Sequence, residues 1–297
     1  MPSTTGYRQG ESVRPTFAWQ LGIRRFYHYE KFNADHLLAT LRDQKIHCSS
    51  PANLNDPWDC RPWLDSLSLQ DPEAFQKAMA SFYRQADKVK QTPRPDLKQW
   101  ESGLRNDPKK LAKWVDDQSK DIQRMVSERR IYCVTPDAGS ILMWSHYADN
   151  HLGICLEFGV DNPLFRQALQ VLYASEYPLW ITHEFEAKPD RAIEMILTKA
   201  EEWRYEKDFR LISLRPGPKA HWLRAHDDFF SLPPGALKSV IVGCEADYDA
   251  VRAIVKAHIP DLPVKRAVRV PNRYRLEIEG IVIEDADTHE EHDKRDL

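Results

Sequence analysis

The chain predicts an α+β fold: a mixed, mostly antiparallel sheet with flanking helices and a helical insertion. Three observations carry this expectation. Short β-prone runs recur from Phe26 to Ile283. Most alternate between apolar and polar residues, the pattern of a half-buried strand. Between two such runs, residues 68–129 are highly charged, contain no Gly from Asp71 to Ser102, and show helical spacing.

The elements follow in order. Phe26-Tyr-His-Tyr29 is a first strand. Asn33 or Asp35 can cap a helix that carries Leu37, Leu38 and Leu41 on one side. Lys45-Ile-His-Cys-Ser49 is a second strand. In Asn53-Leu-Asn-Asp-Pro-Trp-Asp59, Asn and Asp before Pro favour a side-chain-bonded turn. Within the insertion, Leu111, Trp114, Val115, Ile122 and Met125 fall three, four or seven apart. They suit a packing layer over the sheet, or a lid. Sheet resumes at Arg130-Ile-Tyr-Cys-Val-Thr135. It continues at Ile154–Phe158, Val171–Ala174, Lys207–Leu214 and Leu237–Gly243. Ala187–Trp203 and Tyr248–His258 have amphipathic helical patterns, and Pro263–Ile283 can close as a hairpin. One domain over residues 21–284 results. It is preceded by a flexible arm, 1–20, and followed by a disordered charged tail, 285–297.

With 297 residues, 42% hydrophobic and 29% charged, the chain can bury a sizeable core. A net charge of -3 gives no global basic field for nucleic acid. The five cysteines are scattered and form no C-x-x-C, against a disulfide framework or a structural zinc. Cys133, Cys155 and Cys244 each sit in an apolar run and read as buried thiols. No apolar run is long enough to span a bilayer, and no membrane contact is expected. These features point to a reduced, cytoplasmic protein. The 11 glycines form neither G-x-G-x-x-G nor a P-loop, which argues against a Rossmann or P-loop nucleotide site.

Four polar groupings are candidates for chemistry: Tyr27-His-Tyr-Glu30, Asn55-Asp-Pro-Trp-Asp59, Ser140–His151 and Tyr205-Glu-Lys-Asp-Phe-Arg210. The third crowds Ser, His, Tyr, Asp and Asn into one strand entrance, which is costly to bury without partners. On a regular strand the fourth sends Glu206, Asp208 and Arg210 to one face, as a solvated ion-pair row or as one wall of a cleft.

Together these runs resemble the signatures of a bacterial family catalogued as a domain of unknown function. The matching segments are Tyr27-His-Tyr, Asn55-Asp-Pro-Trp-Asp, Leu142-Met-Trp-Ser-His-Tyr-Ala and Trp203-x-Tyr-Glu-Lys-Asp-Phe-Arg210. The order of signals is also similar to the ADP-ribosyltransferase fold. That fold has a His on the first strand, a Ser-rich stretch with a Tyr before a Gly and an apolar strand, and then an acid. The resemblance implies a split sheet of ADP-ribosyltransferase type, with NAD as substrate. It further implies His28, Tyr147, Glu206 and Asp208 as catalytic residues, with Glu206 or Asp208 as the acid. In the Glu-x-Glu branch of the fold a second Glu stands where this chain has Asp208, one methylene shorter. Tyr27, Asn55, Ser140, Trp144, Ser145 and Arg210 would make up the NAD-binding set, the two serines as ribose contacts or as supports behind them, and Arg210 pairing a phosphate or holding the acid in place. Tyr147 would stack on nicotinamide, and His28 would bond a ribose hydroxyl.

The chemistry needs such groups. Breaking the nicotinamide–ribose bond leaves a cation-like ribose, which a nearby carboxylate stabilises. ADP-ribosyl transfer to a nucleic acid or protein acceptor, or NAD hydrolysis, is the expected activity, in a toxin or defence setting. Two alternatives stand beside it. One is a metal-dependent hydrolase using His146, Asp149 and His151, or Asp56 and Asp59. The other is a non-catalytic module that binds nucleic acid or protein through the basic run Lys265–Arg275.

Overall fold

The structure is a computed structural model that describes residues 15–61, 63–64, 68–89, 97–176, 179–180, 191–213 and 223–279. Its strands are β1 (Arg25–Glu30), β2 (Lys45–His47), β3 (Trp63–Leu64), β4 (Ile131–Val134), β5 (Ile154–Gly159), β6 (Leu169–Gln170), β7 (Leu172–Ala174) and β8 (Leu179–Trp180). They continue with β9 (Thr198–Ala200), β10 (Phe209–Ile212), β11 (Ala225–His226), β12 (Phe229–Ser231), β13 (Leu237–Val242), β14 (Val264–Arg269) and β15 (Leu276–Ile278). The helices are α1 (Ala34–Leu41), α2 (Pro72–Val89), α3 (Leu97–Asn106), α4 (Pro108–Ser127), α5 (Ile141–Tyr147), α6 (Arg191–Leu197) and α7 (Tyr248–His258). The class is mixed α+β. No helix of the described residues is long and apolar enough to cross a membrane.

The larger sheet has the order β1-β5-β13-β14-β15 and is antiparallel except between β13 and β14. A second, antiparallel sheet has the order β4-β10-β6. The two meet where Tyr27 and Thr135 exchange backbone hydrogen bonds of 2.8 and 2.9 Å. The alternation along β1 then decides what faces the junction. Phe26 enters the main core, Tyr27 and Tyr29 pack with Trp144, and His28 stays half-buried toward β4.

The described residues of 68–129 form the expected helices, and these are a packing layer. Phe75, Met79, Leu104, Leu111, Trp114 and Val115 make a second core with Ile131 of β4 and Ile212 of β10. The caps follow the sequence: Asn33 accepts from the amides of Asp35 and His36, and Asp107 from those of Lys109 and Lys110. Ser140 caps α5 by accepting from Met143 N, so the apolar run after it is a short helix.

Gly153 lies where α5 turns into β5. A Cβ there would run into Glu30 O and the Ala148 backbone. Gly153→Ala is therefore expected to cost about 1–3 kcal/mol through forced backbone shifts. Chemical denaturation checks this, and an unchanged midpoint contradicts it.

Three expectations are corrected. Ala187–Trp203 is not one helix: α6 ends at Leu197 and the chain enters β9, parallel to β7. Ladder pairing with Leu172–Ala174 outweighs the helical pattern beyond Leu197, while residues 187–190 lie outside the described residues. The strand expected from Lys207 begins only at Phe209, because Glu206 closes a 3-10 turn and Lys207 has φ 48°. Glu206 therefore reaches inward from a turn and not from a strand face. Finally, the flexible arm does not extend to residue 20. Ala18 is fully buried and its amide bonds Ala168 O, while residues 1–14 lie outside the described residues, as does the tail 285–297.

Candidate functional site

A cavity of about 370 Å³ opens at the junction of the two sheets. Tyr27, His28 and Glu30 of β1, Tyr132 and Cys133 of β4, Asn55, Tyr147, Lys199, Glu206, Asp208 and Arg210 all contribute to its lining. Segments far apart in sequence thus border one hollow, of a size that suits a small-molecule ligand.

One wall is a buried charge network. Arg210 is fully buried on β10. It donates to both Asp59 oxygens at 2.8 and 2.5 Å, to Asp208 at 3.0 Å and to Ile196 O at 2.5 Å. Lys199, on the strand that replaces the expected helix, is ion-paired with Glu206 and lies 3.8 Å from Asp59. Three carboxylates face two cations, so the ionised network carries one excess negative charge toward the cavity. Burial raises the Glu206 carboxyl above its usual range, Lys199 pulls it back, and Asp208 adds to the rise. Burial acts likewise on Asp59, but Arg210 and Lys199 more than offset it and leave that carboxyl lowered.

Tyr147, at the end of α5, donates to Glu206 Oε1 at 2.5 Å and accepts from Asn55 Nδ2 at 3.1 Å. Its phenol is raised, first by burial and then by Glu206, so the O–H proton is kept. The hydroxyl holds the Glu206 carboxyl in place, with Asn55 as its support.

His28 stacks on Tyr132, ring centroids 4.1 Å apart, and its Nδ1 lies 2.7 Å from Cys133 O. A carbonyl only accepts, so Nδ1 carries the hydrogen and Nε2 keeps a bare lone pair. Burial lowers the His28 pKa to about 4, so the ring is neutral near pH 7. Glu30 lies beside it, with Oε2 3.8 Å from Nε2.

Burial pushes the Glu30 carboxyl up to about 7. The groups around it are His28 on its own strand, Tyr132 on β4 and Cys155 on β5. The folded protein keeps this proton to higher pH than the unfolded chain does. Stability is therefore lost as pH rises from about 4.5 to about 7, by about 3 kcal/mol in all. Glu30→Gln is expected to flatten melting temperature against pH in that window and to stabilise the protein at pH 8. An unchanged slope contradicts this.

The other sequence candidates fall elsewhere. Tyr27 lines the cavity but is 6% exposed, with its ring in the Trp144 cluster. Trp144 is fully buried and donates to Ala138 O, so it serves packing and does not reach the cavity. Ser140 is a helix cap, and Ser145 bonds Ile141 O and His151 Nε2; neither lines the cavity. Trp58 and Trp203 line a second cavity of about 470 Å³, which shares Asn55, Asp59 and Lys199 with the first.

The residues of the metal alternative do not converge. His146 bonds Tyr205 OH at 2.9 Å, His151 bonds Ser145, Asp149 lies 3.9 Å from Lys31, and Asp59 is taken by Arg210. Among the described residues, no group of three or more His, Cys, Asp or Glu is arranged to hold a metal ion. In the basic run, Lys265 pairs with Glu157, Arg269 with Glu245, and Arg266 lies over the Tyr248 ring. These cations are engaged within the fold. The five cysteines are free thiols, and Cys133 and Cys244 are only half-buried.

Sequence reasoning missed Lys199 and Tyr132. Lys199 sits on the polar side of a helical pattern, and Tyr132 looks like an ordinary strand residue. Comparison of the chain with protein-family models, with curated proteins and with solved structures finds no match.

Proposed function

We propose that the cavity binds the nicotinamide-ribose end of NAD and that the protein transfers ADP-ribose to an acceptor or hydrolyses NAD. The observation that carries this reading is the convergence of His28, Tyr147 and Glu206 on one hollow. In this reading the fold is a split sheet of ADP-ribosyltransferase type, in keeping with the Tyr27–Thr135 bridge that joins the two sheets.

The site supplies what the reaction needs. The bond from ribose C1′ to the pyridinium nitrogen breaks, and its electron pair neutralises the departing nicotinamide. Positive charge develops on the ribose, beside a wall with one excess negative charge, and falls in energy there. Glu206 has a raised pKa, so it is a better base than an ordinary carboxylate. It takes the proton of the incoming O–H or N–H as that atom bonds to C1′. Tyr147 and Lys199 fix both Glu206 oxygens, so little reorganisation accompanies the charge change. Neutral His28 offers Nε2 to a ribose hydroxyl.

The test combines calorimetric NAD titration with an assay for released nicotinamide. Binding with nicotinamide release, both weakened by His28→Ala, is the expected result. Neither heat nor nicotinamide at millimolar NAD, with the fold intact, contradicts the proposal.

A further inference from the structure

We propose that His28, Glu30 and Tyr132 form a clamp for a vicinal diol, the 2′,3′-hydroxyl pair of a ribose. This deepens the NAD reading and rests on it for the identity of the ribose.

The clamp is inferred from groups that the fold buries without partners. Tyr132 is 3% exposed, and its hydroxyl has no hydrogen-bond partner among the described residues. Glu30 Oε1 is likewise buried and unpartnered. Leaving such groups unmatched is costly, so a built site that keeps two of them points to a ligand that matches them. Both residues line the cavity, and so does His28.

The donor and acceptor pattern selects the ligand. His28 Nε2 can only accept, because Nδ1–H is committed to Cys133 O. Burial raises the Tyr132 phenol far above its ordinary value, so its hydroxyl remains a donor. The Glu30 carboxyl accepts when ionised and can also donate when protonated. Nε2 and Glu30 Oε2 are 3.8 Å apart, too far to bond each other. One hydroxyl can therefore donate to Nε2 and the adjacent one to the Glu30 carboxylate, whose Oε1 is the unmatched oxygen. A vicinal diol donates to both and accepts from Tyr132 O–H, which satisfies all three groups. A lone hydroxyl leaves at least one of them unpaired.

Calorimetry on the full chain tests this with four probes: nicotinamide riboside, its 2′,3′-dideoxy counterpart, free nicotinamide and ribose 5-phosphate. The proteins are the unaltered chain, Tyr132→Phe and Glu30→Leu. Loss of one matched hydrogen bond corresponds to roughly a tenfold change in affinity. The riboside is expected to bind about tenfold more weakly to either variant, and the dideoxy compound to bind equally weakly to all three proteins. The variants are expected to melt no lower than the unaltered chain, since each removes an unmatched buried group. A purely structural role for these residues would lower the melting temperature instead.

Equal affinity for the riboside and its dideoxy form overturns the clamp and leaves the nicotinamide reading standing. The same drop for free nicotinamide also overturns it, since the groups then bind the carboxamide. Ribose 5-phosphate that binds with the same dependence on the variants, while the riboside does not bind, keeps the clamp and removes the nicotinamide reading. No binding by any probe overturns both.

Discussion

Glu206→Gln is expected to lower nicotinamide release from NAD by about 100-fold or more, the usual effect of removing a group that stabilises developing charge. The substitution keeps the shape of the side chain, and its one oxygen can still accept from Lys199 while its NH2 faces the Tyr147 oxygen, so the Tyr147 O–H loses its acceptor. In the proposed reaction it removes the negative charge beside the ribose and the base for the acceptor proton. Ground-state contacts change less, so KM for NAD should move far less than kcat. Asp208→Asn is the companion experiment. Asp208 is tied to Arg210 at 3.0 Å, whereas Glu206 is held by Tyr147 at the cavity wall. The larger loss is therefore expected at Glu206. A larger fall in kcat for Asp208→Asn, with the fold intact, would assign the acid to Asp208. Rates within twofold of the unaltered protein for both variants would remove the carboxylate mechanism.

Arg210→Met is expected to destabilise the protein by about 3–5 kcal/mol, the range for removing one partner of a buried ion pair. Arg210 is fully buried and reaches Asp59, Asp208 and the Ile196 carbonyl. Without it, Asp59 and Asp208 lose their main counter-charge and Lys199 is the nearest remaining cation. The effect extends beyond stability, because Asp59 sits at the end of the Asn55–Asp59 turn and Asn55 supports Tyr147. A loose Asp59 loosens the turn, and the hydroxyl that holds Glu206 loses its support. Urea denaturation measures the effect. The triple variant that also carries Asp59→Asn and Asp208→Asn removes the uncompensated charges and should recover part of the loss. A destabilisation below about 1 kcal/mol would place Arg210 among weakly coupled surface pairs, against its burial.

Some of this was legible in the sequence, for physical reasons that differ between elements. The alternation of β1 and β5 is strong because each strand serves two environments at once. Helix α7 was legible over its whole length, since Asp247 caps it and Val251 and Val255 face the core. The site residues His28, Tyr147, Glu206, Asp208, Asn55 and Arg210 were legible as polar residues in odd places, and all of them line one cavity. Lys199 was not legible. Local periodicity places it on the outer face of a helix, while parallel pairing between β7 and β9 turns it inward against Glu206. Local pattern carries no information about a strand that forms only against a distant partner. Trp144 and the two serines lie outside the cavity lining. Their crowding at a strand entrance is met within the fold, where a capping bond, an i−4 carbonyl and the Ala138 carbonyl use their polar atoms. Tyr132 was invisible because a tyrosine on a strand usually finds its own partner.

One soak or co-crystallisation puts the whole account at risk: the chain carrying Glu206→Gln, with NAD at millimolar concentration, at a resolution that shows the ribose. The nicotinamide ribose should lie between residue 206 and the imidazole of His28, with its hydroxyls directed at β1. Density for NAD on another surface, or a cavity with no ligand at saturating concentration, would contradict the assignment and leave an α+β fold whose central hollow serves some other molecule.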